Sequence, residues 1–326
     1  MRILVLGIET DILDEGAKNV ATNMVRHLSN MEEVKVIHQR EVLLPRNIIS
    51  IIKFSPQIVL SVHGPSPKTI LLLAVIRLLT HKTFTVVIGT QPHDSPQLDR
   101  VLKYFGPNLV FAQSKYWHER FMSIGLSVQK LANGVDTEKF SERDKSMARA
   151  FKESLGLDTS RPLALHIGPV NFNRNHEILI RLQEETEWQV LVVGSTTENC
   201  LPHIVESLKK SGVVILVEYF PDISLVYCAA DVYIFPVVDR TGSIEFPLTV
   251  LEAISCDIPV VTTRFRGLPD FLEEGEAFKY YDTFPELVQA LRSVKGKKGN
   301  RLVSSKFSWN VIVQDLLDKI GVIQNC

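Results

Sequence analysis

The chain has 326 residues, 45% of them hydrophobic, and a formal charge of -1 at pH 7. That length can bury one large core or, more naturally, two cores of about 150 residues each. The balanced charge leaves no whole-chain field for nucleic acid or an anionic membrane, and Cys200, Cys228, Cys256 and Cys326 are too scattered for a zinc site or a disulfide framework.

The run from Met1 to Gly7 reads as a buried strand, since a signal peptide needs a longer apolar region and a cleavage site. The longest apolar run, residues 70–79, carries Arg77 and falls short of the roughly 20 residues that cross a bilayer. The one dense basic run, residues 295–301, reads as a solvated loop before the last helix. Together these imply a soluble protein of the reducing cytoplasm, with peripheral membrane contact left open.

In chain order, apolar runs predict strands over residues 3–6, 34–37, 58–62, 84–88, 109–112 and 129–131, with helices over 17–28, 68–79, 97–104 and 116–124. The pattern restarts with strands over 163–168, 189–193, 213–216, 232–235 and 259–262, and helices over 176–183, 201–210, 223–229 and 248–255. A terminal helix runs from Phe307-Ser308-Trp309 through Ile320. Continuous Val/Ile/Leu strands between helices predict parallel sheets covered on both faces. The expected fold is α/β, with two doubly wound, Rossmann-like domains facing a cleft and a linker within or beside the charged stretch 141–161. Ligands of such sheets bind at the carboxyl ends of the strands. Neither half shows the Gly-x-Gly-x-x-Gly loop of a nicotinamide or flavin dinucleotide.

The most informative stretch is residues 241–261. Pro247 suits the first turn of a helix, and residues 248–254 are apolar on nearly every side except at Glu252. Such a helix is buried, and its carboxylate must be paired, hydrogen-bonded or turned to a cavity. The polar loop before it leaves the first-turn amides around Leu248 and Thr249 available to an anion. Phosphate at the helix start and hydroxyls at the carboxylate suit a sugar nucleotide.

Val250-Leu251-Glu252-Ala253 and Pro259-Val260-Val261 resemble the donor-binding signature of the retaining glycosyltransferases of family four (glycosyl transferases group 1), which have the GT-B fold. Asn133-Gly134-Val135-Asp136 and Phe307-Ser308-Trp309 extend the resemblance over nearly the whole chain. It implies domains at 1–145 and 146–306, with a C-terminal helix at 307–326 packing back on the first. The family spaces its two glutamates one residue further apart than Glu245 and Glu252, and Ile244 stands where the first acid belongs. A loop one residue shorter would slide Glu245 into that role.

The resemblance also implies roles for the strand-end loops. Arg174 stands at the cation position of a phosphate loop that begins at Gly168, where it could hold two phosphate oxygens, while Pro169 replaces a second cation. His93, following Thr90, matches a histidine that lies against the transferred sugar. Catalytic roles thus fall to His93, Arg174 and Glu245. Donor contacts fall to Glu252, Gly168, Arg174, Leu248, Thr249 and Gly194, and the acceptor side to Gly16, His63 and Asp94. No Asp-x-Asp pair and no His or Cys cluster suggests a metal, and no cofactor is expected.

The implied activity is transfer of a sugar, with retention and without metal, from a nucleotide diphosphate sugar to the hydroxyl of a saccharide, lipid-linked or other acceptor, with no nucleic acid involved. Two rivals stay open: a non-catalytic sugar-nucleotide-binding GT-B protein or partner subunit, for which Ile244 and Pro169 speak, and a sugar-nucleotide epimerase.

Overall fold

The computed structural model describes residues 1–7, 16–62, 64–80, 83–196, 200–218, 220 and 222–324. The chain forms two compact units, one of Met1–Gly134, Ile244–Phe246 and Trp309–Cys326, the other of Val135–Ser243 and Pro247–Ser308.

The first unit alternates β1 (Arg2–Leu6), α1 (Gly16–Ser29), β2 (Glu33–Ile37), α2 (Pro45–Phe54), β3 (Ile58–Ser61), α3 (Pro67–Thr80), β4 (Phe84–Gly89), α4 (Pro96–Phe105), β5 (Leu109–Ala112), α5 (Lys115–Ser123) and β6 (Val128–Lys130). The six strands are parallel in the order β2-β1-β3-β4-β5-β6. Leu4 and Leu6 of β1 share one buried cluster with Val59, Val87 and Val110. Ile51, Ile70, Leu73, Leu98, Trp117 and Phe121 of α2 to α5 close over that cluster, so these four helices cover one face of the sheet. Side-chain alternation along strands separates this layer from the opposite one.

The second unit runs α6 (Lys145–Ser154), β7 (Leu163–Ile167), α7 (His176–Glu185), β8 (Gln189–Val193), α8 (Pro202–Lys210), β9 (Val214–Leu216), α9 (Ile223–Ala229), β10 (Val232–Phe235), α10 (Leu248–Ser255), β11 (Val260–Thr262), α11 (Leu268–Phe271), β12 (Phe278–Tyr280), α12 (Phe284–Val294) and α13 (Arg301–Ser304). Its strands are also all parallel, in the order β12-β11-β10-β7-β8-β9. The last helix, α14 (Trp309–Gln324), belongs to the first unit. It packs on α1, with His27 Nδ1 and Asn310 Oδ1 2.8 Å apart, and Lys319 Nζ donates to the Lys130 carbonyl at 2.8 Å.

The structure adds to the expected elements. The stretch read as a linker contains α6, whose start is capped by Asp144, which accepts from the Ser146 amide. Helix α2 and the β12–α12 pair lie in stretches given no element from sequence. The units divide at Gly134, ahead of the boundary expected at 145. The reason is local: the Val135 amide donates to the Phe307 carbonyl at 2.7 Å, and Ser255 Oγ donates to the Phe140 carbonyl at 2.6 Å, tying residues 135–140 into the second unit. Gly134 is required at the junction, because a Cβ there would collide with the Trp309 indole.

Candidate functional site

In the second unit, the carboxyl end of β7 runs into a turn over Phe172–Arg174. Asn171 caps the turn by accepting from the Asn173 amide at 3.1 Å, and Asn175, in the left-handed region at φ 53°, redirects the chain into α7. This geometry folds the Arg174 side chain back under the strand end, leaving it 8% exposed. Gly168 makes room for it: a Cβ there would lie 2.7 Å from Arg174 Nη1 and 3.5 Å from His166 Nε2. The loop before α10 lies against the same turn, since Asn173 Nδ2 donates to Thr241 Oγ1 at 2.8 Å and a Cβ on Gly242 would strike the Asn173 carbonyl.

Two buried histidines accompany the guanidinium. His166 Nδ1 lies 3.0 Å from the Ile234 carbonyl and His176 Nε2 lies 3.3 Å from the Pro169 carbonyl. Carbonyls only accept, so these nitrogens carry the protons and His166 Nε2 and His176 Nδ1 are left as buried acceptors with no hydrogen bond among the described residues. Burial, the neighbouring imidazole and the Arg174 charge hold His166 well below its ordinary value. Burial, then the Arg174 charge, lower His176 to about 4. Both rings are therefore neutral near pH 7, and the positive charge of this cluster is that of Arg174.

Helix α10 follows. Pro247 occupies its N-cap position with extended backbone, one residue earlier than the first turn expected from sequence, and no side chain caps the helix. Leu248 is buried and Thr249 half-buried. Burial pushes the hydroxyl of Tyr233 well up, and that hydroxyl donates to the Ile167 carbonyl at 3.5 Å. Further along, Glu252 Oε2 accepts from the Tyr227 hydroxyl at 2.7 Å. Burial raises the Glu252 carboxyl, while the Tyr227 hydrogen bond and the Lys139 charge pull it down. Gly194, at the end of β8, is packed against Val217, Cys200 and Val170, with a Cβ there 3.2 to 3.3 Å from each. Its residue type thus has a packing reason. Among the described residues no group of three or more His, Cys, Asp or Glu could hold a metal ion.

The first unit holds the other expected residues. The Gly16 backbone faces Ile244, a Cβ on the glycine lying 3.4 Å from Ile244 Cδ1. Glu245 is buried on its own contacts: its amide donates to the Thr90 carbonyl at 2.8 Å, and its Oε1 accepts from Trp117 Nε1 at 3.0 Å. Ile244 thus occupies the space beside the glycine, and the carboxylate is turned to the indole. His93 is exposed, with Nδ1 3.0 Å from the Gln91 carbonyl. Asp94 pairs with Arg120 Nε at 2.9 Å and accepts from the Tyr116 hydroxyl at 3.0 Å. The His63 expectation, and Thr197 of the loop after β8, lie outside the described residues. The strands that precede His63 and Thr90, β3 and β4, are neighbours in the sheet.

His166, Tyr227 and Tyr233 were not singled out from sequence. A histidine and two tyrosines within otherwise apolar strand and helix runs were the available signal, because buried polar rings require partners.

Two parallel six-stranded sheets with flanking helices, each in its own unit, place the chain in the GT-B class of glycosyltransferase folds. Residues 162–294, within the second unit, match the family model described as glycosyl transferases group 1. Over 281 residues the chain is 24% identical to the GDP-mannose-dependent alpha-(1-6)-phosphatidylinositol monomannoside mannosyltransferase of Mycolicibacterium smegmatis, covering 81% of this chain and 72% of that protein. It is 27% identical over 149 residues to the sulfoquinovosyl transferase SQD2 of Arabidopsis thaliana, covering 45% of this chain and 28% of that one. The matches span about half the length of most of these curated relatives. A solved structure of Anabaena HepE with UDP-glucose aligns over 99% of this chain and 100% of that chain with a TM-score of 0.74 at 16% identity, a likeness of fold. No helix among the described residues is long and apolar enough to cross a membrane.

Proposed function

We propose that the chain is a cytoplasmic glycosyltransferase that moves a sugar from a nucleotide diphosphate sugar to an acceptor hydroxyl, with retention and without a metal. The observation that carries this reading is the Arg174 guanidinium, folded under the glycine at the end of β7 and accompanied by two neutral imidazoles. A cation held in place before the ligand arrives stabilises a leaving diphosphate at no reorganisation cost. The uncapped start of α10 offers amides to the same kind of group, and Glu252 offers a carboxylate for ribose hydroxyls. His93 and Asp94 would serve the sugar and acceptor side. The glycosyltransferase relatives and the group 1 domain support the reaction class.

Ile244 favours a second reading, a donor-binding GT-B protein or partner subunit without turnover, because an apolar side chain stands beside Gly16 where the family carries an acid. A thermal-shift panel of nucleotide diphosphate sugars followed by a donor-hydrolysis assay tests both. A ligand at about 100 times its Kd should stabilise the fold by roughly 2.7 kcal/mol. Stabilisation with slow release of free sugar supports the enzyme, stabilisation with none supports the binding protein, and no stabilisation by any donor overturns both.

A further inference from the structure

We propose that the outer faces of α2 and α3 form a docking surface for an anionic lipid bilayer. The chain has 37 Asp and Glu residues, yet none lies between Glu41 and Asp94, while Arg46, Lys53, Lys68, Arg77 and Lys82 all fall in that interval. A protein with a formal charge of -1 therefore concentrates unopposed positive charge in one stretch of its first unit. Arg46, Lys53 and Lys68 are exposed.

The same stretch exposes apolar side chains in ordered stripes. On α3, Leu71, Val75, Leu78 and Leu79 are exposed, Leu78 at 76%, and their spacing of i, i+4, i+7 and i+8 puts them on one helical face. Before and along α2, Leu43, Leu44, Ile49 and Ile52 are exposed, while Ile51 is the one buried residue of that helix. Both helices bury their opposite sides in the one cluster on a single face of the sheet and pack against each other, which leaves two apolar stripes on neighbouring helices. Isolated exposed leucines are ordinary, but six large hydrophobic side chains on two helices packed together, with Leu43 and Leu44 just before α2, form a patch. Exposed apolar side chains interspersed with Lys and Arg, in a stretch with no acid between Glu41 and Asp94, are the chemistry of a helix lying in an anionic interface, its apolar face in the acyl boundary and its cations at the headgroups. A second copy of the chain would bring the same unopposed positive charge against itself, so the charge favours lipid.

Vesicle co-sedimentation of the full chain tests this. We expect binding to phosphatidylglycerol vesicles, weak binding to phosphatidylcholine vesicles, and loss in high salt. Arg46→Glu with Lys53→Glu should weaken binding by at least roughly tenfold, as each basic residue near such a surface contributes about fivefold. Ile49→Ser, Ile52→Ser and Leu78→Ser combined should abolish it with an unchanged circular dichroism spectrum. In the unmutated chain, phosphatidylglycerol vesicles should slow deuterium uptake over residues 43–54 and 67–80, a reading that stands even if the triple variant does not fold. No binding to either vesicle, or protection elsewhere in the chain, overturns the proposal. So does a dimer in light scattering that the triple variant dissociates, because a second copy would then cover the face.

Discussion

Trp117 Nε1 donates a 3.0 Å hydrogen bond to Glu245 Oε1 across 128 positions of sequence. Both groups are buried, and the Glu245 amide is fixed to the Thr90 carbonyl, so the carboxylate anchors residues 244–246 to the first unit.

Glu245→Ala should therefore show first as lost stability. A buried indole N–H left without its acceptor costs about 1 to 3 kcal/mol, readable in urea denaturation. Glu245→Gln keeps an acceptor oxygen and should cost less. If Glu245→Ala is as stable as the parent yet turns over poorly, the carboxylate serves the sugar and not the fold.

Arg174→Ala should weaken binding of a nucleoside diphosphate by about 1.5 to 3 kcal/mol, the range for hydrogen bonds to charged groups, while leaving the nucleoside nearly unaffected. Gly168→Ala probes the same contact from the other side. A Cβ 2.7 Å from Nη1 must displace the guanidinium, and at φ 157° an L side chain is strained, so diphosphate affinity should fall together with Tm. Equal losses for nucleoside and diphosphate on isothermal titration would remove Arg174 from the phosphates.

The strands of both sheets except β12 were legible because continuous Val, Ile and Leu runs bounded by turns have few other uses. Helix α2 was not, since Ile48, Ile49, Ile51 and Ile52 form an apolar run in which no polar side marks a helical face, and Ile51 alone is buried. Helix α6 was hidden for the opposite reason: none of its residues is buried, so its composition reads as a solvated linker. Helix α12 carried a readable start in Thr283, whose hydroxyl accepts from the Glu286 amide at 3.4 Å, the Thr-x-x-Glu pattern of a helix cap. Within the site, the Gly168–Arg174 loop was located through the family resemblance, but not the turn that folds the guanidinium inward. The Trp117–Glu245 bond joins residues so remote in sequence that only the packed unit brings them together.

Turnover should survive chelator. Arg174 and the α10 amides offer positive charge to a diphosphate, and no metal-holding cluster is present among the described residues. Activity lost in chelator and restored by magnesium or manganese would contradict the metal-free reaction.

Stability should fall as the solution is acidified from pH 6.5 toward 4. In the unfolded chain a histidine takes its proton near 6.5, whereas His176 in the fold does so only at about 4 and His166 is also lowered. Between those values the unfolded state binds more protons, so the stabilisation is full above 6.5 and lost as pH falls. For His176 alone it amounts to about 3 kcal/mol. Glu252, whose carboxyl is raised in the fold, works with the opposite sign, because the folded chain keeps its proton above the unfolded value. The comparison is therefore between parent and variant: His176→Gln should flatten the slope of urea stability between pH 6.5 and 5. A parallel slope would show that His176 is protonated in the fold.

The sharpest test of the donor site uses the pair Tyr227 and Glu252. An ionised carboxylate accepts hydrogen bonds from ribose hydroxyls better than a protonated one, so donor affinity should weaken as pH falls through the raised Glu252 value. The Tyr227 hydroxyl, 2.7 Å away, stabilises the ionised form against burial. Tyr227→Phe removes that hydrogen bond, worth about 1.5 kcal/mol or roughly one pH unit, and should move the acid limb of donor binding to higher pH while leaving affinity on the alkaline plateau intact. Glu252→Gln should abolish the limb and weaken binding by about 1 to 3 kcal/mol across the whole range. If Tyr227→Phe lowers affinity equally at every pH, the tyrosine acts only by positioning the helix. If Glu252→Gln leaves both affinity and its pH dependence unchanged, Glu252 does not contact the donor.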